Sequence, residues 1–169
     1  MAVLLRKKIC MIGSYGVGKT SLVRRFVESL FDDRYLTNIG VKIDKKQISA
    51  KDADVTLVIW DLAGEDEITT LRLSHLRGAA GYILVADGCR PDSLEKAQEL
   101  QQRVRGTLGD VPFMLALNKV DLLENWRVPA AELDRLRALG WDCCQTSAKT
   151  ADAVDELFHT LAFKMLNNS

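Results

Sequence analysis

Eight consecutive residues, Gly13-Ser14-Tyr15-Gly16-Val17-Gly18-Lys19-Thr20, fit the pattern G-x-x-x-x-G-K-[ST]. They follow the apolar run Ile9 to Ile12 and precede a helical pattern, the context that separates a phosphate-binding loop from an ordinary glycine-rich turn. The glycines let successive backbone N–H groups turn inward as an anion nest. The helix that begins here adds the positive end of its dipole. In such a loop Lys19 reaches the β- and γ-phosphates and the Thr20 hydroxyl ligates Mg²⁺. Tyr15, Gly16, Val17, Gly18 and Ser21 complete the cradle. The loop alone says nucleotide without saying which, because ATPases, kinases and GTPases share it.

A second motif, Asn118-Lys119-Val120-Asp121, follows the apolar run Phe113 to Leu117. A carboxylate placed there accepts two hydrogen bonds, and guanine offers N1–H and its 2-amino group on one edge. Adenine lacks that pair of donors. Sites built on such pairing discriminate by about 10⁴-fold or more. Asn118 can tie this loop to the phosphate loop, and the Lys119 stem can lie along the base. Downstream, Ser147-Ala148-Lys149 follows a short strand around Cys143 to Gln145, and the Ala148 N–H can donate to guanine O6. Alone, that tripeptide is a weak signal; after the other two motifs it is a strong one.

The rest of the chain must hold these loops together. Its 169 residues suit one domain, with roughly 70% of the unfolded surface buried. Hydrophobic residues make up 47% and prolines number three, which excludes a disordered or collagenous chain. Lys+Arg and Asp+Glu both total 23, so no global field favours nucleic acid or anionic lipid. No apolar run reaches the roughly 20 residues of a membrane helix. The charges of Arg6-Lys7-Lys8 follow the first apolar residues, the wrong order for a secretory signal. Ala2 rules out N-myristoylation and the tail Asn167-Asn168-Ser169 has no prenylatable Cys, so no lipid anchor is seen: either the chain acts in solution, with a cytoplasmic location expected, or an anchoring tail lies outside this sequence. Cys10, Cys89, Cys143 and Cys144 form no C-x-x-C pair, and Cys10 and Cys89 fall in apolar, strand-like runs. Buried free thiols in a reducing compartment follow. A redox role for Cys143-Cys144 is disfavoured because neighbours on a strand face opposite ways.

Short apolar runs alternate with amphipathic segments. Leu22, Val23, Phe26, Val27 and Leu30 mark one helix face, and Val41 to Ser49 with Val55 to Trp60 flank a polar turn over Ala50 to Asp54, a hairpin signal. Tyr82 to Ala86 and Phe113 to Leu117 are apolar without alternation, as strands covered on both faces are. Between them Ser93 is an expected N-cap for a helix through Leu94, Ala97, Val104 and Leu108. A further helix is expected from Ala130 to Leu139, stopped by Gly140, and a last one from Val154 through Met165. The alternation implies βαβ units and a mostly parallel sheet, whose ligands bind at the carboxyl ends of the strands.

At this point the chain resembles the Ras superfamily of small GTPases, in its Rab-like branch. The resemblance covers essentially the whole chain. It rests on Gly13 to Thr20, Asn38-Ile39-Gly40-Val41, Trp60-Asp61-Leu62-Ala63-Gly64, Arg77-Gly78-Ala79, Asn118 to Asp121 and Ser147 to Lys149. It implies an α/β, P-loop NTPase fold: a Ras-like G domain over residues 1–169, with a six-stranded, mostly parallel sheet, one antiparallel edge pairing and flanking helices. It implies binding of GTP and GDP with Mg²⁺, and two switch segments that order around the γ-phosphate. Switch I would run from about Phe31 to Val41, with Phe31 where the family stacks an aromatic on guanine. Switch II would run from Asp61 to about Arg77. Asp61 matches the acid that holds Mg²⁺ through water, and Gly64 matches the glycine that contacts the γ-phosphate. Effector proteins at the switches, an exchange factor, a GTPase-activating protein and a monomeric state are implied as partners and assembly.

Three positions depart from the family around the γ-phosphate. Glu65 stands where the family has a water-positioning Gln. Gln can donate to a phosphate oxygen while accepting from water, whereas a carboxylate only accepts and repels the phosphate. Asp66 and Glu67 worsen the local field. Asn38 stands where the family has a Mg²⁺-ligating threonine. An amide oxygen can also ligate, and Thr37 is next door. Tyr15 occupies a site that is usually small, where its ring would crowd an arginine finger or its hydroxyl would bond the phosphate. Slow intrinsic GTP hydrolysis is the expectation, with Lys19, Gly64 and Glu65 as the catalytic set. A non-cycling, nucleotide-bound scaffold remains the alternative. A P-loop ATP kinase is disfavoured by Asn118 to Asp121.

Among the remaining residues, His75 is weighed as a partner contact or a packing residue. Trp60 is expected to be part core and part effector-facing. Arg24, Arg25 and His159 are expected to face solvent. The two histidines lie too far apart, without a Cys cluster, to suggest zinc.

Overall fold

A computed structural model describes residues 3–27, 35–36, 41–50, 52–62 and 73–168. The strands are β1 (Val3–Ile12), β2 (Tyr35–Leu36), β3 (Lys42–Ala50), β4 (Ala53–Asp61), β5 (Ala79–Asp87), β6 (Phe113–Asn118) and β7 (Cys143–Gln145). The helices are α1 (Lys19–Val27), α2 (Pro91–Leu108), α3 (Ala130–Ala138) and α4 (Val154–Asn167). The strands form one sheet in the order β2-β3-β4-β1-β5-β6-β7. β1 pairs in parallel with β4 and β5, β5 with β6, and β6 with β7. The expected six strands are present, and the two residues of β2 extend the edge beyond β3 by a second antiparallel pairing.

Successive strand residues point to opposite faces, and this divides the core. On one face Ile9 and Met11 of β1, Leu57 and Ile59 of β4, and Ile83 and Val85 of β5 pack against Leu22 and Phe26 of α1 and Leu157, Phe158 and Leu161 of α4. On the other, Cys10, Ile12, Tyr82, Leu84, Leu115 and Leu117 meet Leu94, Ala97 and Val104 of α2 and Leu133 and Leu136 of α3. Helices on both faces explain why β5 and β6 carry no polar alternation. The rings of Phe26 and Phe158 stack with centroids 4.1 Å apart, locking α1 to α4.

Several local expectations need correction. Ser93 is not the N-cap of α2. The helix starts at Pro91, whose fixed φ and missing N–H suit a first turn, and Arg90 occupies the cap without a side-chain bond. The Ser93 hydroxyl instead accepts the Asp87 N–H at 2.8 Å and lies 2.7 Å from the Arg90 carbonyl, closing the β5–α2 connection. Cys89 lies in that half-buried connection and not in a strand, because β5 ends at Asp87. The β3–β4 ladder runs until Ala50 pairs with Ala53, so the hairpin connection is two residues and not five. Arg6, Lys7 and Lys8 lie within β1. Lys8 reaches over the Trp60 ring at 3.6 Å and bonds the Arg77 carbonyl at 2.8 Å. Cys143 and Cys144 pack on opposite faces, as neighbours on a strand must. Leu30 lies outside the described residues.

No described helix is long and apolar enough to cross a membrane.

Candidate functional site

The carboxyl ends of β1, β4, β5 and β6 and the segment after β7 converge on one rim of the sheet. At this rim β1 continues into the loop Gly13–Gly18 and then α1. The loop passes so close to β5 that any side chain at position 13 would run into the Val85 carbonyl. Gly16 and Gly18 hold φ of 79° and 103°, a region that glycine enters without steric cost. A side chain at Gly18 would also strike the Asn118 amide. Gly13 is thus fixed by close approach, Gly16 by backbone angle, and Gly18 by both.

Lys19 opens α1 and folds back over the loop. Its Nζ donates to the carbonyls of Gly13 at 2.6 Å and Ser14 at 3.0 Å. It is only 4% exposed. Burial pulls its pKa down to about 8, partly offset by the nearby Asp61 carboxylate. Asp61, at the end of β4, is 1% exposed. Burial raises its pKa, against the pull of the Thr20 hydroxyl, Lys19 and Lys42. The Thr20 hydroxyl donates to Asp61 Oδ2 at 2.5 Å. The other carboxylate oxygen, Oδ1, is buried with no hydrogen-bond partner, as is Ser14 Oγ. A buried carboxylate oxygen without a donor is costly. A hydroxyl and a carboxylate, both hard oxygen donors, suit Mg²⁺, which binds through one or two protein oxygens and keeps several waters. The residues present therefore fit that ion.

The second half of the rim is more tightly knit. Asn118 Nδ2 donates to the Val17 carbonyl at 3.0 Å, and Asn118 Oδ1 accepts from Thr146 at 3.1 Å. Lys119 has φ of 72°. Its Nζ bonds the Gly16 carbonyl at 3.0 Å and pairs with Asp87 at 2.9 Å. The Ser147 hydroxyl donates to Asp121 Oδ1 at 2.7 Å. Backbone bonds from Thr146 to Leu117 and from Val120 to Thr146 lace the two loops together.

Two adjoining hollows result. One, of about 340 Å³, is lined by Tyr15, Gly16, Gly18, Lys19, Thr20, Ser21 and Lys119. The other, of about 510 Å³, is lined by Gly18, Ser21, Asn118, Lys119, Asp121, Leu122, Ala148 and Lys149. Gly18, Ser21 and Lys119 belong to both, so the hollows are two ends of one cleft. Tyr15 is 65% exposed at the rim. Val17 is buried and acts through its carbonyl. Phe31, Asn38, Gly64 and Glu65 lie outside the described residues.

Sequence reasoning missed four supports. Arg25 does not simply face solvent: its Nε donates to the Ala148 carbonyl at 2.8 Å and an NH2 to the Lys149 carbonyl at 3.0 Å. Asp87 anchors Lys119 and accepts the Cys89 N–H at 2.8 Å; its signal was a charge ending an apolar strand. Arg90 donates to the Tyr15 carbonyl at 3.0 Å. The Trp126 ring covers Gly88 so closely that a side chain there would collide with it. Nothing in the local sequence marks Arg25, Arg90 or Trp126.

A family model described as Ras family matches residues 8–167. The Ras-related protein Rab-13 of Bos taurus is 34% identical over 164 residues, covering 96% of this chain and 81% of that protein. Rab-13 of Mesocricetus auratus gives the same figures, and Rab-13 of Canis lupus familiaris is 33% identical over the same span. With the cleft described above, these matches lead to one conclusion: the chain belongs to the Ras family, as a Rab-like small GTPase.

Proposed function

We propose that this chain is a single G domain that binds GTP and GDP with Mg²⁺, hydrolyses GTP slowly, and signals to effectors through switch I and switch II. The observation that carries the reading is the pair of buried, incompletely satisfied groups at the phosphate end, the Lys19 ammonium folded over the loop carbonyls and the Asp61 carboxylate. Burial holds Lys19 toward its neutral form, and Asp61 keeps an orphaned oxygen. A polyphosphate beside Lys19 and a divalent cation beside Asp61 would relieve both costs at once. Thr20, Asp61 and Asn38 would hold Mg²⁺, which supplies neutralisation of phosphate charge. Asp121 reads the N1–H and 2-amino group of guanine, the Ala148 N–H reads O6, and Phe31 stacks on the base. Asn118, Lys119, Ser147 and Lys149 shape the base end.

In the chemical step Lys19 and the Gly64 N–H stabilise charge on the γ-phosphate. Glu65 takes the place where a neutral amide would orient water, and its charge opposes attack. Asn38 and Tyr15 act in the same direction, through a weaker switch I clamp and a crowded phosphate. The protein works as a monomer in the cytoplasm, with an exchange factor and an activating protein setting its cycle. A non-cycling scaffold is the second reading, favoured by the same three residues.

Single-turnover hydrolysis tests intrinsic turnover. The stripped protein is loaded with GTP and Mg²⁺ and its nucleotide followed by chromatography over hours. Slow, steady conversion to GDP supports the self-timed switch; GTP that persists through the full course sinks intrinsic hydrolysis and leaves either a partner-triggered switch or a constitutively GTP-bound scaffold.

A further inference from the structure

We infer that Arg25 is a positioning residue for guanine selection, acting by clamping the loop that presents the Ala148 N–H to O6 of the base. The inference rests on the guanine-reading role proposed for Ala148. Arg25 lies on the helix that begins with Lys19 and Thr20. Its guanidinium binds two successive carbonyls, those of Ala148 and Lys149, 123 and 124 residues further along the chain. A planar guanidinium holding neighbouring acceptors fixes both position and orientation, which a single point contact does not. With the two carbonyls drawn to α1, the peptide groups of this segment have little freedom to rotate.

The loop needs such a restraint. Ala151 and Ala153 hold φ of 72° and 57°. For residues with a Cβ these left-handed angles are unfavourable and persist only where the surroundings over-determine them. Within the loop itself the ties are few. Ser147 N–H bonds the Asp152 carbonyl at 3.1 Å, Thr150 N–H bonds the Ser147 hydroxyl at 3.1 Å, and the Thr150 hydroxyl bonds Asp152 at 3.0 Å. From outside the segment, the Ser147 hydroxyl is held by Asp121 at 2.7 Å, and Arg25 is the tie that reaches the Ala148 and Lys149 carbonyls from α1. The Phe26–Phe158 stack next to it holds α1 against α4, so the clamp has a rigid base. Through Arg25 the phosphate helix and the O6 reader move as one body.

The test uses the full chain with Mg²⁺ and three diphosphates: GDP, IDP, and the 2-aminopurine riboside diphosphate. GDP and IDP carry O6; the 2-aminopurine nucleotide lacks it. Dissociation constants are measured for wild type, Arg25→Ala and Arg25→Lys. The expected result is that Arg25→Ala weakens GDP and IDP by the same factor, about tenfold, and shifts the 2-aminopurine nucleotide by less than twofold. Arg25→Lys, which restores one donor site, falls between. Equal weakening of all three nucleotides means general loosening and overturns the inference, as does no change in any. If Arg25→Ala fails to fold, Arg25→Gln supplies the same ratio. A wild type that does not prefer GDP over the 2-aminopurine nucleotide refutes the guanine reading itself, which is a different result.

Discussion

The two ends of the cleft are built on opposite plans. At the base end nearly every buried polar group already has a protein partner. Asn118 bridges Val17 and Thr146, Ser147 holds Asp121, Lys119 pairs with Asp87, and Arg25 clamps the Ala148–Lys149 carbonyls. At the phosphate end the protein leaves costs standing: an ammonium pulled down to about 8, a carboxylate oxygen and a serine hydroxyl without partners. Satisfied networks rigidify, whereas unsatisfied buried groups store free energy that a ligand can release. On the proposed function, the contrast means that base selection would be preorganised in the fold and phosphate affinity drawn from incompleteness. Residues at the base end should therefore govern stability and specificity together, and those at the phosphate end should govern affinity with little effect on stability.

The strongest test of that contrast is Lys19→Met. GDP affinity should fall at least about a thousandfold, since a phosphate would lose its buried counter-charge. The unfolding free energy of the nucleotide-free protein should change by less than about 1 kcal/mol, because removal of a buried ammonium offsets the lost bonds to Gly13 and Ser14. Chemical denaturation beside isothermal calorimetry checks both, and a large loss of stability would break the comparison. Asn118→Ala should do the reverse in the free protein. It strands the Val17 carbonyl and the fully buried Thr146 hydroxyl, at a cost of about 2 kcal/mol by denaturant titration.

Pairing Glu65→Gln with Tyr15→Gly should raise single-turnover GTP hydrolysis about tenfold or more, within the range positioned acid–base and water-orienting groups supply. An unchanged rate in the double variant would remove these residues from the mechanism.

The pH dependence follows from Lys19. Its folded pKa is about 8, below the ordinary 10.5. Between those values the unfolded chain keeps a proton that the nucleotide-free folded chain has released, so Lys19 makes the free protein more stable as pH rises. Phosphate binding needs the ammonium, so the thermal shift produced by GDP should shrink across the same window. A GDP shift that grows from pH 8 to 10 would contradict this assignment. The smallest effect expected is that of Ala151→Gly. Releasing a Cβ from φ of 72° should stabilise the fold by about 1 kcal/mol or less, because glycine also gains freedom in the unfolded chain. Differential scanning calorimetry resolves a change of that size.

Most of the groups that line the cleft are legible in the sequence. The spacing of glycines and Lys19 marks the loop, the run into Asn118 marks its partner, and the i, i+3, i+4 pattern from Val154 marks α4. These are local signals, set by backbone sterics and by the periodicities of helix and strand. Ser93 shows the limit of local reading. It has the right chemistry for a cap, yet Pro91 starts the helix earlier and the hydroxyl goes to Asp87 instead.

What the sequence determined by itself is therefore the set of chemical groups and the order of elements that carries them: a glycine-rich loop with Lys19 after β1, the Asp121 carboxylate after β6, and apolar strands that demand cover on both faces. What the tertiary structure alone decided is how those groups are charged and held. Arg25 reaches a loop 123 residues away, Arg90 reaches Tyr15 75 residues away, and Lys119 meets Asp87 across neighbouring strands. The lowered pKa of Lys19 and the orphaned oxygen of Asp61 exist only once both are buried at the same rim. Desolvation and long-range hydrogen bonds depend on which distant segments pack together, and no window of the sequence contains both partners.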